Sequence, residues 1–219
     1  MFAVFIDHAR RPRSLRASGE RAADVAERAI VLLVYIGLVA RLVRHALQTG
    51  QPANLLLLIS EGLIVVFLVL RRPATQISTN WREWAAAFAA TLAPLLVYPS
   101  AAGGLAPPTI GAVLLVAGMV IQVHAKLTLG RSFGCVPAHR GLKLAGPYRF
   151  VRHPMYAGYL ISHAAFLLMN PALGNAAIYA VCYALQISRI FAEERLLAGD
   201  PRYREYQRVV PYRLILGVF

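Results

Sequence analysis

The sequence contains few charged residues and very few acids. Only 15% of its 219 residues are Asp, Glu, Lys or Arg, whereas soluble domains carry about 25%. It has two cysteines, Cys135 in a polar loop and Cys182 in an apolar run, so no disulfide framework is predicted. Hydrophobic residues make up 58% of the chain and the mean hydropathy is +0.55. These values favour a membrane protein over a soluble one.

Positive charge is the exception to this scarcity. The chain has 23 Lys and Arg against 10 acids, a formal net charge of +13. In a soluble protein such an excess would suggest nucleic acid, but the sequence has no RNA-binding motif and no platform of aromatic and basic residues. We therefore expect no nucleic-acid partner. The basic N-terminus has no adjacent apolar core and cleavage site, so we do not interpret it as a signal peptide.

The basic residues alternate with apolar segments. Six such segments can be distinguished, at 25–43, 55–70, 84–98, 109–125, 154–169 and 171–188. Several are shorter than the roughly 20 residues of a typical span, but the charges between them agree with spanning. If the N-terminus is cytoplasmic, 21 of the 23 Lys and Arg fall on the cytoplasmic side. The cytoplasmic regions are then 1–28, 71–83, 126–153 and 189–219.

The positive-inside rule predicts from this distribution that both termini are cytoplasmic. The outer connections at 99–108 and around Asn170-Pro171 carry no charge, and Arg41 and Arg44 are the two exceptions to the rule. The predicted fold class is all-α, a polytopic transmembrane helical bundle of five to six membrane segments. Because only Asn170-Pro171 joins the last two segments, these predict a tight helical hairpin.

A polar tail follows the hairpin and predicts one more helix. Asp200 is the expected N-cap, Pro201 the first helical residue and Pro211 the end. The tail is predicted to be amphipathic, with three residues on one face, Tyr203, Tyr206 and Val210. We expect one membrane domain, 1–219, with N-terminal helices of unassigned role at 1–108 and a functional core at 109–219.

The residues that can carry chemistry lie where apolar helices meet basic loops. Residues 146–159 read GPYRFVRHPMYAGY. Pro154 suits the first turn of a helix, so Arg152 and His153 lie just before the helix, where a carboxylate or phosphate binds well. Taken singly, Arg152 and His153 could equally be interfacial anchors, and Tyr156 an aromatic belt residue.

A second group follows the sixth segment, in Arg189-Ile-Phe-Ala-Glu193-Glu194. Arg189 and Glu193 are four residues apart and share a helix face. Acids at a helix C-terminus oppose the helix dipole, and a bound sulfonium or ammonium group would account for the two adjacent acids. The alternative is an exposed ion pair between Arg189 and Glu193, which would contribute little to stability.

Together, Arg152-His153-Pro154-x-Tyr156-x-Gly158 and the later Glu pair resemble the isoprenylcysteine carboxyl methyltransferase and phospholipid methyltransferase superfamily. The resemblance spans about residues 109–215. It implies an integral membrane enzyme that uses S-adenosylmethionine, bound by the loop, the hairpin and a tail that folds under the bundle. The tail could instead lie on the membrane surface.

The resemblance also implies which residues act. The cofactor-binding residues it implies are Arg140, Gly141, Leu142, Lys143, Tyr148, His153, Pro154, Tyr156 and Glu193. Arg189 matches a position that faces the methyl-accepting group and is the catalytic candidate. The chain departs from the family pattern in a short segment between Gly134 and Arg140, and in Leu216, where members often have proline.

Polar residues inside the predicted spans are further candidates, because such groups are costly in a membrane and mark function by default. They are Glu61, His124, His163 and Gln186. For Glu61 we favour a structural pairing with Arg41 or Arg44. For His163, binding of the acceptor substrate and simple packing remain equal alternatives.

The acceptor is left open by the sequence. A lipophilic carboxylate is favoured, and a phospholipid amine or a small thiol is the alternative. A non-enzymatic transporter or assembly factor is the alternative from another class, although the sequence has no internal repeat of the kind common in transporters. We expect a lipophilic or lipid-linked acceptor and membrane lipids as partners, no metal, and location in a bacterial inner membrane. The oligomeric state is open.

Overall fold

The computed structural model describes residues 18–49, 53–100 and 103–219, with the backbone alone at 18, 42, 45, 46, 49 and 53–61, and it confirms the all-α class. Within these residues the helices are α1 Ser18–Thr49, α2 Ala53–Leu70, α3 Trp81–Leu92, α4 Pro108–Leu129, α5 Pro154–Met169, α6 Leu173–Leu197 and α7 Pro201–Val209. Two short strands are β1 Gln76–Ile77 and β2 Ala138–His139. Single 3-10 turns occupy Ala93–Leu96, Gly130–Ser132 and Gly146–Arg149.

Each predicted apolar segment coincides with one of the helices α1 to α6, which pack in pairs. α4 lies along α5, α1 along α2, and α3 along α6. By length and composition, one helix of the described ranges can cross a membrane, Pro108–Ser132, and α5 is a shorter apolar helix. The helices therefore agree with the sequence, while the number of spans remains a prediction.

Polar contacts differ between the two ends of the bundle. At one end, which we call the amide end, Asn175 Oδ1 accepts a hydrogen bond from Tyr98 N at 3.1 Å and Asn170 Oδ1 accepts one from Ser100 N at 3.1 Å. At the other, which we call the charged end, residues 18–28, 71–83, 126–153 and 189–219 meet. There β1 pairs antiparallel with β2. If successive segments run in opposite directions, as predicted, these four regions must lie at the same end of the bundle. This holds whichever side of a membrane that end faces.

The contact between α4 and α5 is close because glycines lie at the interface. A Cβ atom on Gly118 would lie 2.4 Å from Ser162 Oγ and 2.7 Å from the carbonyl oxygen of Gly158. A Cβ atom on Gly158 would lie 2.7 Å from Gln122 N and from the carbonyl oxygen of Gly118. Such close approach of small residues is typical of helix pairs in membranes. It fixes the start of α5 relative to the loop that follows α4.

The tail helix is as predicted. Asp200 is the N-cap of α7 and its Oδ1 accepts a hydrogen bond from Arg202 N at 2.9 Å. Pro201 is the first helical residue and the helix ends before Pro211. The predicted apolar face is buried, and it packs against Leu142 and Leu197.

Buried charges tie α1 to the loop after α4, a contact that the sequence did not indicate. Glu27 is fully buried, and Arg71 and Arg140 are 3% and 4% exposed. Arg140 Nη2 lies 2.8 Å from Asp24 Oδ1 and 3.0 Å from Glu27 Oε2. Arg71 also pairs with both acids. Two acids therefore balance two arginines, as a buried charge cluster requires.

The side chain of Glu61 lies outside the described residues, and so does its predicted pairing with Arg41 or Arg44. Arg41 and Arg44, the two exceptions to the charge rule, are both exposed on α1. Their predicted pairing with Glu61 remains a prediction.

The glycine contact gives a direct test of the packing. We expect Gly158→Ala to lower the free energy of unfolding by about 1–3 kcal/mol, the usual cost of overpacking. The matched control is Gly37→Ala on α1, where an added Cβ meets nothing within 4 Å. It should be neutral or stabilising, since alanine favours a helix by up to about 1 kcal/mol. Thermal unfolding of detergent-purified protein measures both, and equal stabilities would contradict the interpretation.

Candidate functional site

A cavity opens at the charged end, between the loop after α4, the start of α5, the end of α6 and α7. Its wall contains most of the predicted cofactor residues. They are Arg140, Gly141, Leu142, Lys143, Tyr148, His153, Tyr156 and Glu193. Pro154 is buried beside the cavity without lining it, and it occupies the first turn of α5 as the sequence predicts.

Local sequence explains how the loop reaches the cavity. Gly146 has a φ of +57°, which favours glycine. A Cβ atom there would also lie 2.9 Å from Thr128 Oγ1 on α4. The absence of a side chain thus lets the turn Gly146–Arg149 pack against α4, and Tyr148 is buried in the cavity wall.

Glu194 holds the start of α5 against the end of α6. Its Oε1 lies 2.9 Å from Arg152 Nε and 3.1 Å from His153 Nε2, and its Oε2 accepts a hydrogen bond from Arg213 Nε at 3.0 Å. The backbone reinforces this contact, because His153 N donates to the carbonyl oxygen of Arg213 at 2.9 Å. A bound cation is therefore the wrong explanation for Glu194, whose positive partners come from the protein.

These partners keep Glu194 charged. Burial alone would raise the pKa of its carboxyl group, but the hydrogen bond with His153 and the charges of Arg152 and Arg213 hold that pKa below its ordinary value. Glu193, the neighbouring residue, lines the cavity instead. The two adjacent acids thus have different environments, one structural and one facing the cavity.

Arg189 lies one helical turn before Glu193 and is 7% exposed. Its guanidinium carbon lies 5.3 Å from the centre of the Tyr156 ring, and its Nη2 donates a hydrogen bond to the carbonyl oxygen of Gly134 at 3.4 Å. Its Nε is buried and has no hydrogen-bond partner in the part of the chain that the structure describes. The alternative interpretation, an exposed ion pair with Glu193, is wrong because Arg189 is buried.

Helix α7 covers the cavity from the side of the tail. Tyr203 and Tyr206 line the cavity, and the Tyr206 hydroxyl donates a hydrogen bond to the carbonyl oxygen of Tyr148 at 2.6 Å. Burial raises the pKa of both tyrosines, so their hydroxyl groups stay protonated and able to donate. Of the two arrangements considered for the tail, this geometry supports folding under the bundle.

Among the described side chains, neither Arg189 nor the intramembrane candidates His124, His163 and Gln186 are part of the cavity lining. His163 Nδ1 lies 2.9 Å from the Tyr183 hydroxyl, and the ring stacks on Tyr179 with centroids 4.6 Å apart. These contacts favour the packing interpretation of His163. His124 is exposed and Gln186 is buried.

Sequence reasoning missed two groups near the site. Lys126 on α4 is fully buried and its Nζ lies 5.5 Å from the centre of the Tyr159 ring. Arg213, in the tail, completes the set of cations around Glu194. The available signal for the first was a lysine at the end of a largely apolar helix, whereas nothing in the sequence indicated the second.

Replacement of Glu194 tests its structural role. We expect Glu194→Gln to lower the free energy of unfolding at pH 7 by about 3–5 kcal/mol, because the buried Arg152 and the partly exposed Arg213 lose their counter-charge. The pKa of Glu194 is lower in the folded protein than the value of about 4.3 expected for an unfolded chain. The charged carboxylate therefore stabilises the fold at pH values above that unfolded value, and this stabilisation is lost as the pH falls through the folded-state pKa. The difference in the free energy of unfolding between the parent and Glu194→Gln should therefore become smaller below a pH of about 4.

The matched control is Glu205→Gln, which removes an exposed pair with Arg208 whose side chains are 66% and 80% exposed. The thermal midpoint of this control should match that of the parent. If Glu194→Gln were as stable as Glu205→Gln at pH 7, the anchoring role would be refuted.

The part of the chain that is similar to known proteins is the part that forms most of the cavity wall. Residues 111–199 match the Isoprenylcysteine carboxyl methyltransferase (ICMT) family. The chain is 34% identical over 90 residues to Protein-S-isoprenylcysteine O-methyltransferase A of Arabidopsis thaliana, covering 38% of this chain and 43% of that protein. It is 32% identical over 90 residues to Protein-S-isoprenylcysteine O-methyltransferase B of the same plant, with the same coverage.

The chain thus spans less than half the length of the curated relatives it matches. The matched residues contain all of α5 and α6, most of α4, and nearly all of the cavity wall. The resemblance inferred from the sequence is confirmed: residues 111–199, less than half of the chain, match the isoprenylcysteine carboxyl methyltransferase family.

Proposed function

We propose that the protein is an integral membrane methyltransferase that transfers the methyl group of S-adenosylmethionine to a lipophilic acceptor, with a carboxylate favoured. The observation that carries this proposal is the gathering of the family motif residues around one cavity at the charged end. The names of the two plant relatives support carboxyl methylation over methylation of an amine or a thiol.

The lining of the cavity fits such a cofactor. Glu193 offers a carboxylate for an ammonium group, and Lys143 and His153 offer donors for a carboxylate. Tyrosine rings on several sides suit a purine and a sulfonium, which binds aromatic faces as other cations do. Arg140 is different, because its guanidinium is already paired with Asp24 and Glu27. Its contribution would come from the backbone.

When bound, S-adenosylmethionine supplies a methyl group already activated by the sulfonium. The protein then has to orient the reactants and exclude water. Arg189 suits the binding of an anionic acceptor, since it is buried and always charged, and since its Nε has no hydrogen-bond partner among the described residues. A carboxylate acceptor is already deprotonated and needs no general base.

An amine or thiol acceptor would need a group to take its proton. His153 is bonded to Glu194, and Glu194 is paired with Arg152 and Arg213 as well. Both are therefore poorly placed to act as a base. Glu193 is the remaining carboxylate in the cavity wall. The buried, positively charged guanidinium of Arg189 still favours an acceptor that arrives as an anion.

The location follows from the same proposal. We infer that the charged end faces the cytoplasm, where S-adenosylmethionine is available, and that a lipophilic acceptor enters from the membrane between the helices. A bacterial inner membrane and five to six spans remain our expectation. The N-terminal helices at 1–108 would then shape the acceptor side and support the cavity wall.

Cofactor binding is the first test. We expect His153→Ala and Glu193→Ala each to weaken binding of S-adenosylmethionine by about 1.5–3 kcal/mol, the range for a lost hydrogen bond to a charged group. Titration calorimetry of folded, detergent-purified variants measures this, with Glu205→Ala on the exposed face of α7 as the matched control. If both variants bind like the control, the site is wrong. If the parent binds neither the donor nor its demethylated product, a transporter or assembly factor is favoured.

Arg189 gives a second test, directed at the acceptor. We expect Arg189→Leu to retain the cofactor affinity of the parent but to slow methyl transfer to an anionic acceptor by about 10²-fold, because one charge-stabilising donor is lost. Calorimetry and single-turnover transfer on the same preparation separate the two effects. Loss of cofactor binding would make Arg189 a cofactor or structural residue, and unchanged transfer would remove the main reason to favour a carboxylate.

A further inference from the structure

The wall of the cavity includes a segment that has almost no regular structure of its own. Between α4 and α5, the residues from Gly134 to Arg140 contribute Gly134, Val136, Ala138 and Arg140 to the lining, and only β2 within them is a strand. The shape of this wall therefore depends on contacts from elsewhere in the chain.

Glu27 on α1 supplies those contacts from behind the wall. Its Oε1 accepts hydrogen bonds from Cys135 N at 2.7 Å and Val136 N at 3.3 Å. Its Oε2 accepts one from Arg140 Nη2 at 3.0 Å. Because Glu27 is fully buried, these charge-assisted bonds form away from competing water. One side chain thus holds two backbone amides and one guanidinium of the same wall.

The path of Arg140 reinforces this arrangement. A Cβ atom on Gly134 would lie 2.2 Å from Arg140 Nη1, so the guanidinium passes directly against the backbone at Gly134. Any side chain at Gly134 would push the guanidinium away from the acids of α1. The segment is therefore clamped at its beginning, through Gly134 and Cys135, and at its end, through Arg140.

Arg71 belongs to the same charge cluster but not to the wall. It contacts the same two carboxylate oxygens as Arg140, Asp24 Oδ1 and Glu27 Oε2, but these ion pairs are with the acids of α1 and not with the Gly134–Arg140 segment itself. Loss of Arg71 would leave the acids of α1 short of one positive charge. It would not remove a bond to the cavity wall, so Arg71 can separate stability from positioning.

We propose that Glu27 is a positioning residue for the cofactor: α1, outside the part of the chain that matches the family, sets the affinity of the cavity by fixing its Gly134–Arg140 wall. This inference rests on the proposed function, since the ligand it concerns is S-adenosylmethionine. It gives the N-terminal helices a role in the reaction, although none of the described side chains of α1 lines the cavity.

The test compares Glu27→Ala, Glu27→Gln and Arg71→Met by calorimetry with S-adenosylhomocysteine and by thermal unfolding. We expect Glu27→Ala to raise the Kd about tenfold or more, because small displacements of binding groups are costly. Glu27→Gln keeps an oxygen for the backbone amides and should recover part of that affinity. Arg71→Met should lower the unfolding midpoint as well, yet keep the Kd within about threefold of the parent's.

Two results would overturn the proposal: a Kd for Glu27→Ala within about threefold of the parent's, or equal weakening by Arg71→Met, which would indicate general loosening. If Glu27→Ala does not fold, Gly134→Ala displaces Arg140 without removing any charge, and it should raise the Kd in the same way. An unchanged Kd for that variant would overturn the proposal too. Absence of binding by the parent would instead refute the proposed function.

Discussion

Glu194 keeps a negative charge where only 6% of its side chain is exposed. Such a charge is stable only when positive groups surround it, and its partners come from separate parts of the chain. Arg152 and His153 precede α5, whereas Arg213 follows α7. The start of α5, the end of α6 and the tail must therefore meet at this carboxylate, and the candidate site is the space that they leave between them.

The N-terminal half joins this arrangement by the same physics. Asp24 and Glu27 need cations, and Arg140 supplies one from the cavity wall. The close approach of α4 and α5 at Gly118 and Gly158 then keeps both ends of the intervening loop at a fixed separation. Packing of small residues inside the bundle and ion pairing at its charged end are thus complementary. The packing sets the distance between α4 and α5, and the ion pairs hold the loop between them against α1.

The helices could be predicted because each is an apolar run bounded by charge or proline, and α7 because Asp200 and Pro201 start a helix in a recognisable way. The cavity residues could be predicted only through the family motif. The different environments of Glu193 and Glu194 could not be predicted, because adjacent helical residues point about 100° apart and the sequence does not indicate which of the two faces the cavity. Nor could the partner of Arg140, which lies 113 residues away in Glu27.

The long separation between these partners has a consequence for biosynthesis. Chains are made from the N-terminus, so Glu27 leaves the ribosome long before its partner Arg140. Tyr148 likewise precedes its partner Tyr206 by 58 residues. Until α7 emerges, Glu194 also lacks Arg213 and the cavity has no cover. A nascent chain that has not yet reached Arg213 therefore lacks both the α7 side of the cavity wall and one of the positive partners of Glu194.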